Sequence, residues 1–491
     1  MPEPSGLVAI ALATGGAIFA GWAAATRPFL AIGCLFVLAS LSRLVVETPV
    51  GSMRIEQPAI AVVALVLAAR GRFGILRSIS RRELAIAAAF GAYLAVLALS
   101  SALFAPQRLD SLRLVAWLAT SMVGGVVVYI LARPDPARSV GPFAFGGAAK
   151  AALGFAVAVP YLVLGTTANW GVQEALGILP RVHAFSWEAN IYASFLAMSI
   201  PFALEAARGR YRTAGMVMLV LVVAGLPLGS TRGANLGAIA GILAYVAVRL
   251  ARERRIADMP RLGTVAAVAL AVGLVAADVL LPNALERYIA DLPTPTPSAT
   301  APGGPGVPGS GGPGGSAGSP GPVETVAPTP VVTPGPPPSL LPYPDTISYR
   351  MDRVPVALND LRSSPLIGLG AESFGQRHVD PEQVGSPPDH IAILAVAVLY
   401  DSGILGAAAL AVAFLLLLAG LWTASRPVRE DDASPVGPAA AFIGSILALL
   451  VTSQATNALH FASNWMVVGA AVALIGASVR RVAGDGDADG S

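Results

Sequence analysis

"HIAILAVAVLYDSGILGAAALAVAFLLLLAGLW", His390–Trp422, sets a titratable ring at the mouth of an almost unbroken apolar run. A helix of about 17 to 25 apolar residues, rising about 1.5 Å per residue, crosses the roughly 30 Å hydrocarbon core of a bilayer. Runs of this kind recur from one end of the chain to the other. The 491 residues are 55% hydrophobic and only 12% charged, with a mean hydropathy of +0.68. A soluble domain would carry roughly a quarter charged residues. The expected fold class is an all-α polytopic membrane protein.

The first run, Gly6–Ala25, has no basic flank before it, and the nearby "ATR" is a poor cleavage site. It reads as a span rather than a cleaved signal. The net charge of +3 is small and gives no reason to expect a nucleic-acid partner. Nearly all basic residues are arginine, with Lys150 the one lysine. The single cysteine, Cys34, falls inside a span; one cysteine allows no intramolecular disulfide and suggests no cysteine-based metal site. Four scattered histidines without an H-E-x-x-H motif argue against a catalytic zinc, and no cofactor is expected.

Hydropathy marks about thirteen spans, beginning near Gly6, Pro28, Gln57, Glu83, Leu112, Pro142, Asn190, Thr213, Gly233, Leu262, His390, Val436 and Asn464. Twelve or thirteen crossings fit, because Gln57–Ala69 is short. Arginine-rich loops stay in the cytoplasm. "RGRFGILRSISRR" (Arg70–Arg82), "RPDPAR", "RGRYR", "RLARERRIADMPR", "SRPVRE" and the pair Arg480–Arg481 therefore lie inside. The stretch around Arg181, the turn Ser230–Arg232, the loop Pro282–Asp389 and the turn near His460 then lie outside, as does the N-terminus.

This divides the chain into a helical region over 1–281, with about ten spans, an extracytoplasmic loop over 282–389, further membrane helices over 390–483 and a cytoplasmic tail over 484–491. Within the loop, Leu292–Pro344 is a low-complexity Pro, Gly, Ser, Thr and Ala tract with no apolar periodicity, so it is expected to be disordered. The segment 349–389 is expected to be ordered, with Val354, Leu358 and Leu361 at the spacing of a surface amphipathic helix.

Polar groups at the outer boundary are the functional candidates, because charge there is costly unless it faces a cavity or an anion. In "PLGSTRGANLGAIAG", Pro227–Gly241, Arg232 sits in a short turn before a glycine-rich helix start whose N–H groups suit an anion; a snorkelling arginine fits as well. "LPRVHAFSWEANIYASFLAMSIP", Leu179–Pro201, offers Arg181, His183, Glu188 and Asn190, or equally an interfacial belt around Trp187 and Tyr192. Arg350 and Arg353, three apart on one helix face, suit a pyrophosphate or anionic lipid headgroups. His390 is a candidate base, or a capping histidine; His378 and His460 are weaker candidates.

Taken in order, "RVHAFSWEANIYA", "STRGAN", "PLIGLGAESF" and "HIAILAVAVLYDSGILG" resemble the recurrent motifs of the O-antigen ligase and polymerase superfamily of bacterial membrane glycosyltransferases, over roughly Arg181–Gly406. Ile391 stands where that family has an asparagine, and Ala189 where it has a proline. The resemblance implies a GT-C-like membrane fold of about 12–13 helices with one large extracytoplasmic loop late in the chain. It implies metal-independent transfer of a glycan from a polyprenyl-diphosphate carrier to a glycan, lipid or protein acceptor, at the outer face of a bacterial inner membrane. Arg232 and His390 would be catalytic; Arg181, Asn190, Arg350, Arg353, Gly368 and Gly370 would bind substrate. The rival class is a transporter or flippase of lipid-linked glycans. Internal repeats and broken spans in matching positions would mark it, and no such repeat is found in the sequence.

Overall fold

The structure, a computed structural model, describes residues 4–48, 51–164, 171–175, 179–209, 212–229, 231–253, 259–280, 346–378, 391–426 and 436–488. The low-complexity tract Leu292–Pro344 and His390 lie outside the described residues.

Helices dominate. They are α1 (Pro4–Thr26), α2 (Pro28–Ser40), α3 (Glu56–Ala69), α4 (Arg81–Phe104), α5 (Arg108–Ala132), α6 (Val140–Leu164), α7 (Ala189–Ala206), α8 (Arg212–Gly225), α9 (Arg232–Glu253), α10 (Met259–Leu280), α11 (Thr346–Leu361), α12 (Ser373–Arg377), α13 (Leu394–Ala424), α14 (Val436–Thr452) and α15 (Ala462–Ala488). Ten helices among the described residues are long and apolar enough to cross a membrane; α3 adds an eleventh if the 3₁₀ segment Arg72–Ser78, bent 80° from it, belongs to the same span. The apolar helices α2 and α14 are shorter. The helices start close to where hydropathy predicts, because side-chain transfer energy alone sets those limits. The only sheet among the described residues is two antiparallel hairpins, β1 (Val45–Thr48) with β2 (Gly51–Arg54) and β3 (Val172–Ala175) with β4 (Leu179–Val182).

Helices α7 and α15 form the interior, each 78% buried across its apolar window, whereas α10 is 22% buried and stands at the edge. The closest packing joins α9 to α14 and α5 to α15. Glycine permits the first approach: a Cβ on Gly444 would come within 2.6 Å of the Gly241 carbonyl oxygen. In lipid, such small-residue contacts supply the packing that hydrophobicity cannot.

Contacts between loops define two ends of the bundle. At one end, Arg70 donates to Ala25 O, Arg133 to Ser78 O and Arg252 to Trp422 O, so arginine-rich loops lie together. At the other, Lys150 donates to Ala184 O, Arg54 to His460 O and Ala371 N–H to Ser101 Oγ. The second end is the one that the arginine bias leads one to expect outside, and it is termed the external end.

At that external end α13 is broken. Gly403 adopts φ 64 and ψ −170, a region essentially closed to other residues. The break exposes backbone groups, and the segment Pro365–Gly370 satisfies them. Leu369 N–H donates to Tyr400 O (2.8 Å) and Gly370 N–H to Asp401 O (3.0 Å). In return Ile404 N–H donates to Pro365 O (2.9 Å) and Leu405 N–H to Leu366 O (3.0 Å). The loop is spliced into the helix.

Helix α11 carries Val354, Leu358 and Leu361 at helical spacing, as expected; Ala357 and Leu361 are buried while Leu358 is 46% exposed. Helix α15 continues to Ala488, and its apolar part ends at Arg481.

Replacing Gly403 by alanine should cost roughly 1–3 kcal/mol, because its Cβ would meet the Leu366 backbone and the torsion is closed to alanine. Thermal unfolding in detergent measures it, with Gly263→Ala, where a Cβ meets nothing within 4 Å, as the control. Equal melting of Gly403→Ala and wild type would remove the splice as a stabilising element.

Candidate functional site

Arg181 sits on β4, opposite Gln173 on β3. The chain then turns sharply, with Ala184 and Phe185 at φ 43 and 62, before α7 begins at Ala189. Such backbone is unfavourable for residues with a Cβ and persists only where its surroundings fix it. Lys150, buried in α6, donates from Nζ to both Ser40 O and Ala184 O at 2.6 Å, tying the turn to the end of α2.

His183 completes the anchor. Arg43 donates to its Nε2 (3.1 Å), so the ring carries its hydrogen on Nδ1 and donates that to Ser186 O (2.9 Å). Burial, with help from the Arg43 guanidinium, pushes His183 down to about 4. Both ring nitrogens are therefore committed to structure.

Glu188 and Arg181 both act electrostatically on Arg350 of α11. Burial lowers Arg350 from its ordinary value, Glu188 opposes that, and Arg181 lowers it further. Charges from two separate stretches of chain, Arg181 with Glu188 and Arg350, thus act on one another. Arg350 and Arg353 are half-buried, while Met351, Asp352 and Asn359 between and beyond them are exposed. Both guanidinium-bearing positions therefore lie on the protein-facing side of α11.

The 3₁₀ turn Leu226–Gly229 packs against both β4 and the start of α7, and leads into α9. Thr231 caps α9: its carbonyl accepts from Asn235 N–H, and its buried Oγ1 has no partner among the described residues. Arg232 is the first helical residue. Arg181, Asn190 and Arg232 consequently sit on adjoining elements. An apolar cavity of about 340 Å³ opens beside them between α8, α9 and α10, lined by Val223, Leu226, Ile239, Leu270 and Leu274, with Asn235 its polar member.

Across the same end lies a charged group that the sequence did not single out. Arg54 of β2 is buried between Trp117 and Phe461, 5.0 Å from each ring centroid. It donates to His460 O (3.1 Å), and His460 Nε2 lies 3.7 Å from Glu372 Oε1. Burial lowers His460, with Glu372 opposing the shift. Glu372 is held at φ 50, directly after the spliced loop. Asp401 lies within its field, just before the helix break. No motif signals these partners, since they come together from four distant segments.

Gly368 and Gly370 have φ of 79 and 101. Their N–H groups donate to Ser364 O and Asp401 O, so both donors are taken by the fold. The candidate base His390 lies outside the described residues; Ile391 beside it is buried, and Leu394 N–H donates to Ser453 O.

A buried neutral histidine destabilises the fold when acid would protonate it. The folded value of His183 lies below its ordinary 6.5, so its stabilising contribution is present above pH 6.5 and is lost as pH falls toward about 4. Melting temperature in detergent should therefore fall more steeply over that window in wild type than in His183→Gln. Parallel pH profiles would count against the assignment.

No family model matches the chain and no curated protein matches it.

Proposed function

We propose that this chain is a membrane glycosyltransferase of the O-antigen ligase and polymerase kind, acting at the external end of its helix bundle in a bacterial inner membrane. It moves a glycan from a polyprenyl-diphosphate carrier to an acceptor hydroxyl during cell-surface polysaccharide or glycoconjugate assembly. The observation that carries this reading is that Arg350, half-buried on the inward face of α11, lies within the electrostatic reach of Arg181, more than a hundred residues away in sequence. A guanidinium facing lipid headgroups would sit on the outward face. Two that face inward suit a multivalent anion.

The chemistry follows from that charge. The acceptor oxygen attacks the anomeric carbon and the bond from that carbon to the phosphate oxygen breaks. The electron pair leaves on the polyprenyl diphosphate, and the acceptor proton passes to a base. Fixed arginines stabilise the departing charge without a metal. Arg181, Arg232 and Arg350 hold the diphosphate, with Arg353 beside them on α11, and the first N–H groups of α9 add a positive helix end. Asn190 contributes from the start of α7. Gly368 and Gly370 act by letting the loop approach α13. His390 is the base that the family resemblance implies. The apolar cavity between α8, α9 and α10 suits the carrier's hydrocarbon chain, since it lies within the membrane-spanning part and ends near Arg232.

Membranes containing the protein, supplied with a polyprenyl-diphosphate glycan and candidate acceptors, should transfer the glycan; no transfer to any acceptor would reject the reading. Arg181→Lys and Arg350→Lys should each weaken donor binding about tenfold or more, because an ammonium lacks the planar fork and charged hydrogen bonds contribute about 1.5–3 kcal/mol. Asp352→Asn, on the exposed face, should bind as wild type does. Wild-type affinity in both lysine variants would remove the arginines from the donor site.

A further inference from the structure

One group at the external end is built like a proton acceptor and has been given no role. Asp360, near the end of α11, lies seven residues after Arg353, so both share a helix face about 11 Å apart along the axis. Its Oδ2 meets His378 Nε2 at 2.6 Å and accepts from the Tyr400 hydroxyl at 3.1 Å. The Phe374 ring packs against both partners, its centroid 4.6 Å from that of His378 and 5.4 Å from that of Tyr400. The backbone N–H of His378 donates to Phe374 O, closing α12.

This arrangement fixes the ring's tautomer. A carboxylate only accepts, so the neutral imidazole carries its hydrogen on Nε2 and keeps its lone pair on Nδ1. Nδ1 has no hydrogen-bond partner among the described residues, and the side chain is 32% exposed. The other described histidines differ: His183 is bound at both nitrogens, and His460, whose Nδ1 also lacks a partner among the described residues, is buried behind Glu372. The further charges close by among the described residues are Arg377, which donates to Phe104 O, and Asp401, which acts on Tyr400.

We propose that His378 is the catalytic base of the transfer reaction, with Asp360 and Tyr400 as its positioning residues; this rests on the glycosyltransferase reading above. Nδ1 takes the hydroxyl proton as the acceptor oxygen bonds to the anomeric carbon, and the electron pair of the broken bond leaves with the diphosphate. Asp360 then faces the imidazolium across a charge-assisted hydrogen bond. Helix α11 thereby sets both the diphosphate-binding arginines and the orientation of the base. Donor and acceptor chemistry would be held in register by one rigid element.

The test is the pH dependence of transfer in proteoliposomes for wild type, His378→Ala, Asp360→Asn, Tyr400→Phe and His390→Ala, with donor binding measured in parallel. His378→Ala should lower turnover about 10²- to 10⁴-fold, keep donor affinity and lose the acidic limb of the profile. The near-isosteric Asp360→Asn should keep the limb but displace it and slow turnover less, which a purely structural loss would not do. Tyr400→Phe should displace it less still. Transfer by wild type with near-normal turnover in His378→Ala, or loss of the acidic limb in His390→Ala alone, would overturn the assignment while leaving the glycosyltransferase reading intact. Absence of transfer in wild type would reject both.

Discussion

In a hydrocarbon environment a backbone N–H or C=O without a partner costs several kcal/mol, and the external end of this protein is organised around one place where a helix opens. Gly403 turns α13 out of helical geometry, and the loop Pro365–Gly370 answers the freed groups with two bonds in each direction. Loop and helix cannot be placed independently. Glu372, the His378–Asp360 contact and the seating of α11 all follow from that splice.

The two ends of the bundle treat buried cations differently. At the arginine-rich end, Arg133 lies 3.6 Å from Glu83, which also accepts from Tyr129, and Arg249 lies within reach of both Glu205 and Glu253. These pairs close charge locally, as buried ions must. At the external end, Lys150 is satisfied by carbonyls, Arg54 by a carbonyl and two aromatic faces with Glu56 and Glu372 in its field, and Arg350 feels both Arg181 and the opposing charge of Glu188. Carbonyl and ring partners hold a donor without supplying a counter-charge of their own.

Surroundings, not residue type, separate the three described histidines. His183 is a structural ring whose two nitrogens hold a turn, and His460 is packed under Glu372. His378 pairs an orienting carboxylate with an accessible nitrogen that has no hydrogen-bond partner among the described residues, whereas the unpartnered Nδ1 of His460 is buried. The sequence ranked His378 low because it lies in a polar loop. Its partner Asp360 is eighteen residues away and carries no local signal.

Hydropathy and arginine bias by themselves determined the helical class, the starts of the membrane helices and the grouping of Arg181, Arg232, Arg350 and His460 at one end. Each of these depends on transfer energies and charge, which add residue by residue and need no partner. Tertiary structure alone decided the break at Gly403, the inward turn of Arg350 with Arg353, and the pairings of Arg54 with His460 and Asp360 with His378. It also decided that Ala357 and Leu361 of α11 face in while Leu358 is exposed. Those outcomes depend on which distant groups can complete one another's hydrogen bonds, and only folding brings such groups within reach.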